Sequence, residues 1–323
     1  MSWSLLGADK IDLQFREAFT EKYTLLIDTH IQAGNMPIKT KTELRWQLSV
    51  EKIDKECITL ELITLDNRLL ESNNPMVKDL AAMSQAFGQM YNELHLVMQP
   101  NGRISKVLNL DVIQKKWHAI KKEMEQIQMQ NESIKNVIKL NDELFTTPQK
   151  IIAAIEGNEF FMLYFHHIFG LKIPATTQTY TQRTLLNTAN LEWRYKVKPQ
   201  NQYYPGENWL INIEGSKETY IDKAWVAAAY KDFSHLNLKE VKPVFKDEGD
   251  YKIVRKTGML LEATRQKQEV VHPELLHATI KYHMISDTMA KLKKKENVPP
   301  PSHQPPVQKQ GGFNVIMDEW EIK

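Results

Sequence analysis

Two short stretches of this chain carry the same pattern. Leu44, Trp46, Leu48 and Val50 alternate with Arg45, Gln47 and Ser49, while Leu191, Trp193, Tyr195 and Val197 alternate with Glu192, Arg194 and Lys196. Successive side chains of a strand point to opposite faces, so apolar and polar residues in strict alternation specify a strand with one buried and one wet face. A strand of that kind is stable only inside a larger sheet, which commits both halves of the chain to sheet structure.

The surroundings of the two stretches repeat as well. A further strand-like run precedes each, over 23–32 and 180–187, and another follows, over 58–65 and 209–213. Next comes an apolar stripe at helical spacing, Met76, Leu80, Met83, Phe87 and Met90 in one case and Trp225, Ala229, Phe233 and Leu236 in the other. Each stripe leads into a glycine-centred strand pair, 94–108 around Asn101 and Gly102, and 241–271 with Gly249 and Gly258. Asn-Gly favours a hairpin turn because both residues tolerate positive φ. The order strands, helix, hairpin thus recurs at an offset of about 150 residues, as expected of an internal duplication.

Between the repeats, Ile113, Trp117, Ile120, Met124 and Ile127 recur at spacings of four and three, which predicts a long helix with Asn109 or Asp111 as its cap. A break is expected over 131–133, and Thr147 followed by Pro148 opens another helix. The expected fold class is α+β: two related halves, each a mainly antiparallel curved sheet with a packed helix, joined by a helical connector. The boundaries fall at 1–110 for the first half, 111–170 for the connector and 171–290 for the second half. A Lys/Pro/Gly-rich linker follows over 291–312, then a terminal peptide over 313–323.

This order of elements, over roughly 20–130 and 178–286, resembles the half-barrel domains of bacterial lipoprotein carriers and the related anti-sigma regulators. The resemblance implies a sheet of successive hairpins with a helix laid across its concave face; it assigns no functional residue. Those families are exported, whereas Met1 to Gly7 followed by Asp9, Lys10 and Asp12 lacks the basic and long apolar regions of a secretory signal.

Hydrophobic residues make up 42% and charged residues 25% of the 323, the balance of a chain with a packed core. A net charge of +2 argues against nucleic acid as the main partner, and the cluster Lys291, Lys293, Lys294 and Lys295 suits a helix end running into a solvated linker. Cys57 stands alone and adjoins Ile58 in an expected strand, so it is read as a buried small hydrophobe with no disulfide and no cysteine-built zinc site. No segment reaches the ~18 apolar residues of a membrane span. The expected setting is cytoplasmic.

Motifs for phosphate loops, metalloproteases and nucleophile elbows are missing, and no pair of carboxylates stands in an apolar context that would separate their pKa values. His166 and His167 are adjacent in an aromatic run and diverge on a helix. His272, His277 and His283 could approach a metal site only with help from Glu274 or Asp287. No enzyme activity, metal or cofactor is therefore expected.

What remains is recognition. Beyond the prolines of 299–306, Phe313, Ile316, Met317 and Trp320 form one helical stripe, with Asp318, Glu319 and Glu321 turned elsewhere. The expected function is that of a non-enzymatic interaction protein, an adaptor, chaperone or assembly component, docking on a protein partner or a second copy of itself through these four anchors. The alternative is a carrier of an apolar small molecule or acyl chain, with Trp46, Trp193, Phe87 and Trp225 lining a cavity.

Overall fold

The computed structural model describes residues 11–75, 77–78, 81, 85, 88–127, 132–165, 168–200, 206–233, 236–238 and 240–296. Its centre is one antiparallel sheet. The N-terminal half supplies β2 (Phe19–Ala33), β3 (Met36–Ile53), β4 (Ile58–Ser72), β5 (Glu93–Met98) and β6 (Ile104–Val107). The C-terminal half supplies β8 (Ala175–Thr176), β9 (Tyr180–Arg183), β10 (Asn190–Pro199), β11 (Asn208–Lys217), β12 (Val244–Val254), β13 (Leu260–His272) and β14 (Leu276–Ser286). From edge to edge the order is β6-β5-β4-β3-β2-β14-β13-β12-β11-β10-β8, with β9 also on β10. The halves join where β14 pairs with β2, from Leu276 opposite Ala33 to Ser286 opposite Tyr23. A separate two-stranded ladder pairs β1 (Ile11–Asp12) with β7 (Lys172–Ile173).

Both tryptophan-centred stretches are strands of this sheet, β3 and β10, with Trp46, Leu48, Val50, Leu191, Trp193, Tyr195 and Val197 all buried. The Asn101-Gly102 turn joins β5 to β6, and Gly102 takes φ +80° as that turn requires. Gly258 serves the β12–β13 hairpin at φ +77°, whereas Gly249 lies within β12 itself. Strand β14, not among the expected strands, alternates Leu276, Ala278, Ile280, Tyr282 and Met284 with His277, Thr279, Lys281 and His283.

The connector carries α1 (Leu110–Ile127), α2 (Glu132–Leu144), α3 (Pro148–Glu156) and α4 (Glu159–Tyr164). Ile113 and Trp117 of the predicted seam are buried, and Trp117 packs with Met90 and Ile138 within the chain. Thr147 caps α3, accepting the Lys150 N–H at 3.4 Å with Pro148 in the first turn, and Asn158 caps α4 through the Phe160 N–H at 2.9 Å. Several expectations change in their bounds, among them the run expected over 180–187, which ends as β9 at Arg183. Helix α5 (Lys223–Ala229) stops before Phe233 and Leu236, which pack from a turned segment instead. Cys57 lies half-buried just ahead of β4, its Sγ 3.9 Å from Asp54 Oδ2, because the strand starts one residue later.

One face of the sheet is covered by the connector. Phe160 lies 5.3 Å from Trp46 and 5.8 Å from Tyr23, ring centre to ring centre, and Phe165 and Phe169 pack on Phe15. The Tyr164 hydroxyl accepts the Leu260 N–H at 3.0 Å, and the Tyr23 hydroxyl donates to the Leu260 carbonyl at 3.0 Å. An aromatic segment is thus fastened to strands from both halves. Helix α6 (Asp287–Glu296) folds back on the sheet, with Met289 buried, Lys293 2.5 Å from Glu262, and Thr288 bonded to Glu21. Among the described residues no helix is long and apolar enough to cross a membrane.

Candidate functional site

Trp46 is enclosed between β3 and α4, 1% exposed. Trp193 stacks on Tyr195 at 6.2 Å and lines a cavity of about 30 Å³ together with Gln182, Asp247, Lys267 and Glu269. Trp225, on α5, packs edge-on against Tyr230 and Phe245. Phe87 with Met76, Leu80 and Met83 of its stripe, His166, His167, residues 297–312 of the expected linker and the four anchors Phe313, Ile316, Met317 and Trp320 lie outside the described residues, while 291–296, expected to be linker, are the end of α6. His277 and His283 are six residues apart on one strand, so about 20 Å separates them. His283 Nε2 instead meets Glu262 Oε1 at 2.7 Å, and His272 Nδ1 accepts backbone N–H bonds from Glu274 and Leu275.

The expectation that no carboxylates stand in an apolar context is corrected by the buried face of β12 and β13. Asp247, Arg265 and Glu269 occupy inward strand positions there and are 3%, 2% and 1% exposed. Arg265 Nε and Nη2 donate to the two oxygens of Asp247 at 2.7 and 2.8 Å, Tyr195 donates to Oδ2 at 2.9 Å, and Lys267 Nζ stands 3.9 Å from the same oxygen. Burial alone would raise the Asp247 carboxyl, but the Arg265 guanidinium holds it below the usual range. Lys267 is pushed down to about 8, first by burial and then by Arg265, against the pull of Asp247. Glu269 forms no ion pair among the described residues; burial raises it, opposed by the Leu186 N–H at 2.9 Å and the Tyr230 hydroxyl at 2.8 Å. The two carboxyls are driven in opposite directions, yet the adjoining cavity holds little more than a single water. The arrangement ties strands together and offers a substrate no space.

An accessible concavity lies on the opposite, polar face. Strand register places Glu214, Glu248, Gln266, Lys281, Asp28, Lys41 and Glu71 side by side across β11, β12, β13, β14, β2, β3 and β4. A neighbouring row runs Lys246, Gln268, Thr279, His30 and Lys39, and Asn73 Oδ1 accepts the Lys39 N–H at 2.8 Å. A groove of about 830 Å³ opens over the β4-β3-β2-β14-β13 part of these rows, and every residue lining it is polar or charged. A second hollow of about 520 Å³ shares Asp28, Gln266 and Lys281 with it and extends over Asn212 and Asp250. His30, its pKa lowered by burial and then by His277 and Lys39, leaves Lys39, Lys41 and Lys281 against Asp28 and Glu71 as the charges of the larger groove. Strands distant in sequence build this surface, so no local motif announces it.

No known protein family matches the chain, and no curated protein matches it in sequence. Among solved structures it is similar to a lipovitellin chain described under lipid-protein interactions in lipovitellin, at 8% identity and a TM-score of 0.36 over 84% of this chain. The match takes in 25% of that chain, so this one spans about a quarter of its length. A superposition that loose carries no argument about fold or ligand.

Proposed function

We propose that this chain is a non-enzymatic interaction protein whose polar sheet face receives a hydrophilic protein segment. The observation that carries the reading is the ~830 Å³ groove across five strands, lined by side-chain amides, hydroxyls and charges of both signs. Mixed charge suits a polypeptide, which offers both signs and many hydrogen-bonding groups, better than the uniformly anionic surface of nucleic acid or an acidic membrane. The terminal peptide with Phe313, Ile316, Met317 and Trp320 is a second docking element in this proposal, acting on a partner protein.

The test is affinity capture with the full chain, a Lys41→Glu/Lys281→Glu variant and a chain ending at Glu296, each checked for its melting temperature. A partner lost with the charge reversal at unchanged melting temperature supports the groove, and one lost only with the truncation assigns docking to the tail. Identical capture by all three overturns both.

A second reading, carriage of an apolar molecule, is favoured by the aromatic connector segment over the apolar sheet face, which a ligand could displace. Native mass spectrometry of freshly purified protein tests it: a copurified lipid supports carriage, and bare protein that also fails to take up fatty acid removes it.

A further inference from the structure

Glu61 and His95 stand directly opposite one another in the β4–β5 pair, and Glu93 lies two residues from His95 on the same face of β5. Leu60, Leu62, Leu94 and Leu96 turn to the core, so these three side chains share the other face. His95 Nε2 is 3.1 Å from Glu93 Oε1 and 3.5 Å from Glu61 Oε1, and the three donor atoms all lie within 4.8 Å of one another. Bonds of about 2.0–2.1 Å to a tetrahedral ion set neighbouring donors about 3.3 Å apart. Both spacings from His95 are therefore close to coordination distance before any ion arrives.

The backbone under the triangle is clamped. Asn109 accepts the His95 N–H at 3.1 Å and donates to the Glu93 carbonyl at 2.9 Å, while the His95 carbonyl accepts the Leu108 N–H at 2.7 Å. One asparagine thus fixes both ligand-bearing residues of β5, the positioning a metal site needs around its ligands. Lys116, whose charge acts on Glu93, is bonded to Asn92 Oδ1 at 2.6 Å. The three side chains are 21%, 34% and 49% exposed, which leaves solvent access to the remaining coordination positions.

We propose that Glu61, Glu93 and His95 form a surface site for a divalent transition-metal ion of the Zn²⁺ type. An imidazole with two carboxylates favours such borderline ions over Mg²⁺ or Ca²⁺, which prefer oxygen ligands alone. Water, or a side chain from a partner, completes the coordination. The site is independent of the polar groove and stands whether or not the groove binds protein.

The experiment is calorimetric titration of the full chain with Zn²⁺, with Mg²⁺ for comparison, repeated on His95→Ala, Glu61→Gln and Glu93→Gln, each first checked for an unchanged melting temperature. One saturable Zn²⁺ event is expected, weakened at least ~10-fold by loss of a ligand in every folded variant and not reproduced by Mg²⁺. Zinc binding that survives unchanged in the folded variants places the ion on other histidines and overturns the proposal, as does the lack of a saturable event.

Discussion

Replacing Asp247 with Asn keeps the shape of the side chain and removes one charge from a place water does not reach. Arg265, whose side chain is 1% exposed, would lose the anion that takes two of its hydrogen bonds, and Lys267 its nearest carboxylate. Lys267 can respond by releasing its proton, since its pKa already sits near 8. Arg265 cannot, because guanidinium stays charged in proteins. Leaving one buried charge uncompensated costs about 3–5 kcal/mol, a large part of the roughly 5–15 kcal/mol that holds a native fold. At a few degrees per kcal/mol, the melting temperature should fall by roughly 6–15 °C. Removing both members, as Asp247→Leu with Arg265→Met, should recover most of the loss, because the double variant no longer desolvates two ions. Urea titration followed by tryptophan fluorescence, at matched slopes, separates the cases. A cost below ~1 kcal/mol for Asp247→Asn, or a double variant as weak as the single one, would refute the account of a dehydrated, mutually dependent pair.

Other outcomes follow from the same face of the sheet. Lys267 has a folded pKa of about 8 against 10.5 for the free side chain, so the unfolded chain binds more protons between these values and stability should rise with pH there. Burial raises the pKa values of Tyr23, Tyr164 and Tyr195, so unfolded phenols ionise first and stability should fall as pH climbs beyond ~10. Denaturation at pH 7.5, 9 and 10.5 should trace a maximum, and Lys267→Met should remove its rising limb. Phe160→Ala, at a position with no exposed surface, should cost about 3–5 kcal/mol, read from the urea midpoint; a cost under ~1 kcal/mol would mean the aromatic segment does not hold the sheet. Gly258→Ala should lower the melting temperature markedly, because φ is +77° and the new Cβ would stand 2.0 Å from the Gln14 carbonyl oxygen. An unchanged melting temperature would show that the hairpin yields without penalty.

Local periodicity made the strands around Trp46 and Trp193 legible, as it did the Asn101-Gly102 turn and the Thr147-Pro148 helix start, since each is decided within a few residues. The stripe through Trp225 was legible as helix-forming but not in its length, for Phe233 and Leu236 pack as well from a turn as from a helix. The groove was not legible. Asp28 meets Lys41 within the local β2–β3 hairpin, but Lys281 meets Asp28 only through a pairing of strands from opposite ends of the chain. Asp247 and Arg265 stayed hidden for a different reason: a charged residue in an alternating strand reads as a wet position, and only the three-dimensional partner reveals it as a dry one. The triangle of Glu61, Glu93 and His95 likewise needs the register of β4 and β5 to become visible.

The seam between β14 and β2 also sets a timetable. During synthesis β2 and β3 can pair at once, but the other edge of β2 must wait for Leu276, which emerges 276 − 33 = 243 residues after Ala33. At roughly 5–20 residues per second, that wait lasts on the order of 10–50 s. Through this interval a fifteen-residue strand offers its free edge to any other extended chain on the ribosome or nearby. Mutations that slow arrival of the C-terminal strands should therefore reveal themselves first as lost soluble yield, before they change the stability of molecules that finish folding.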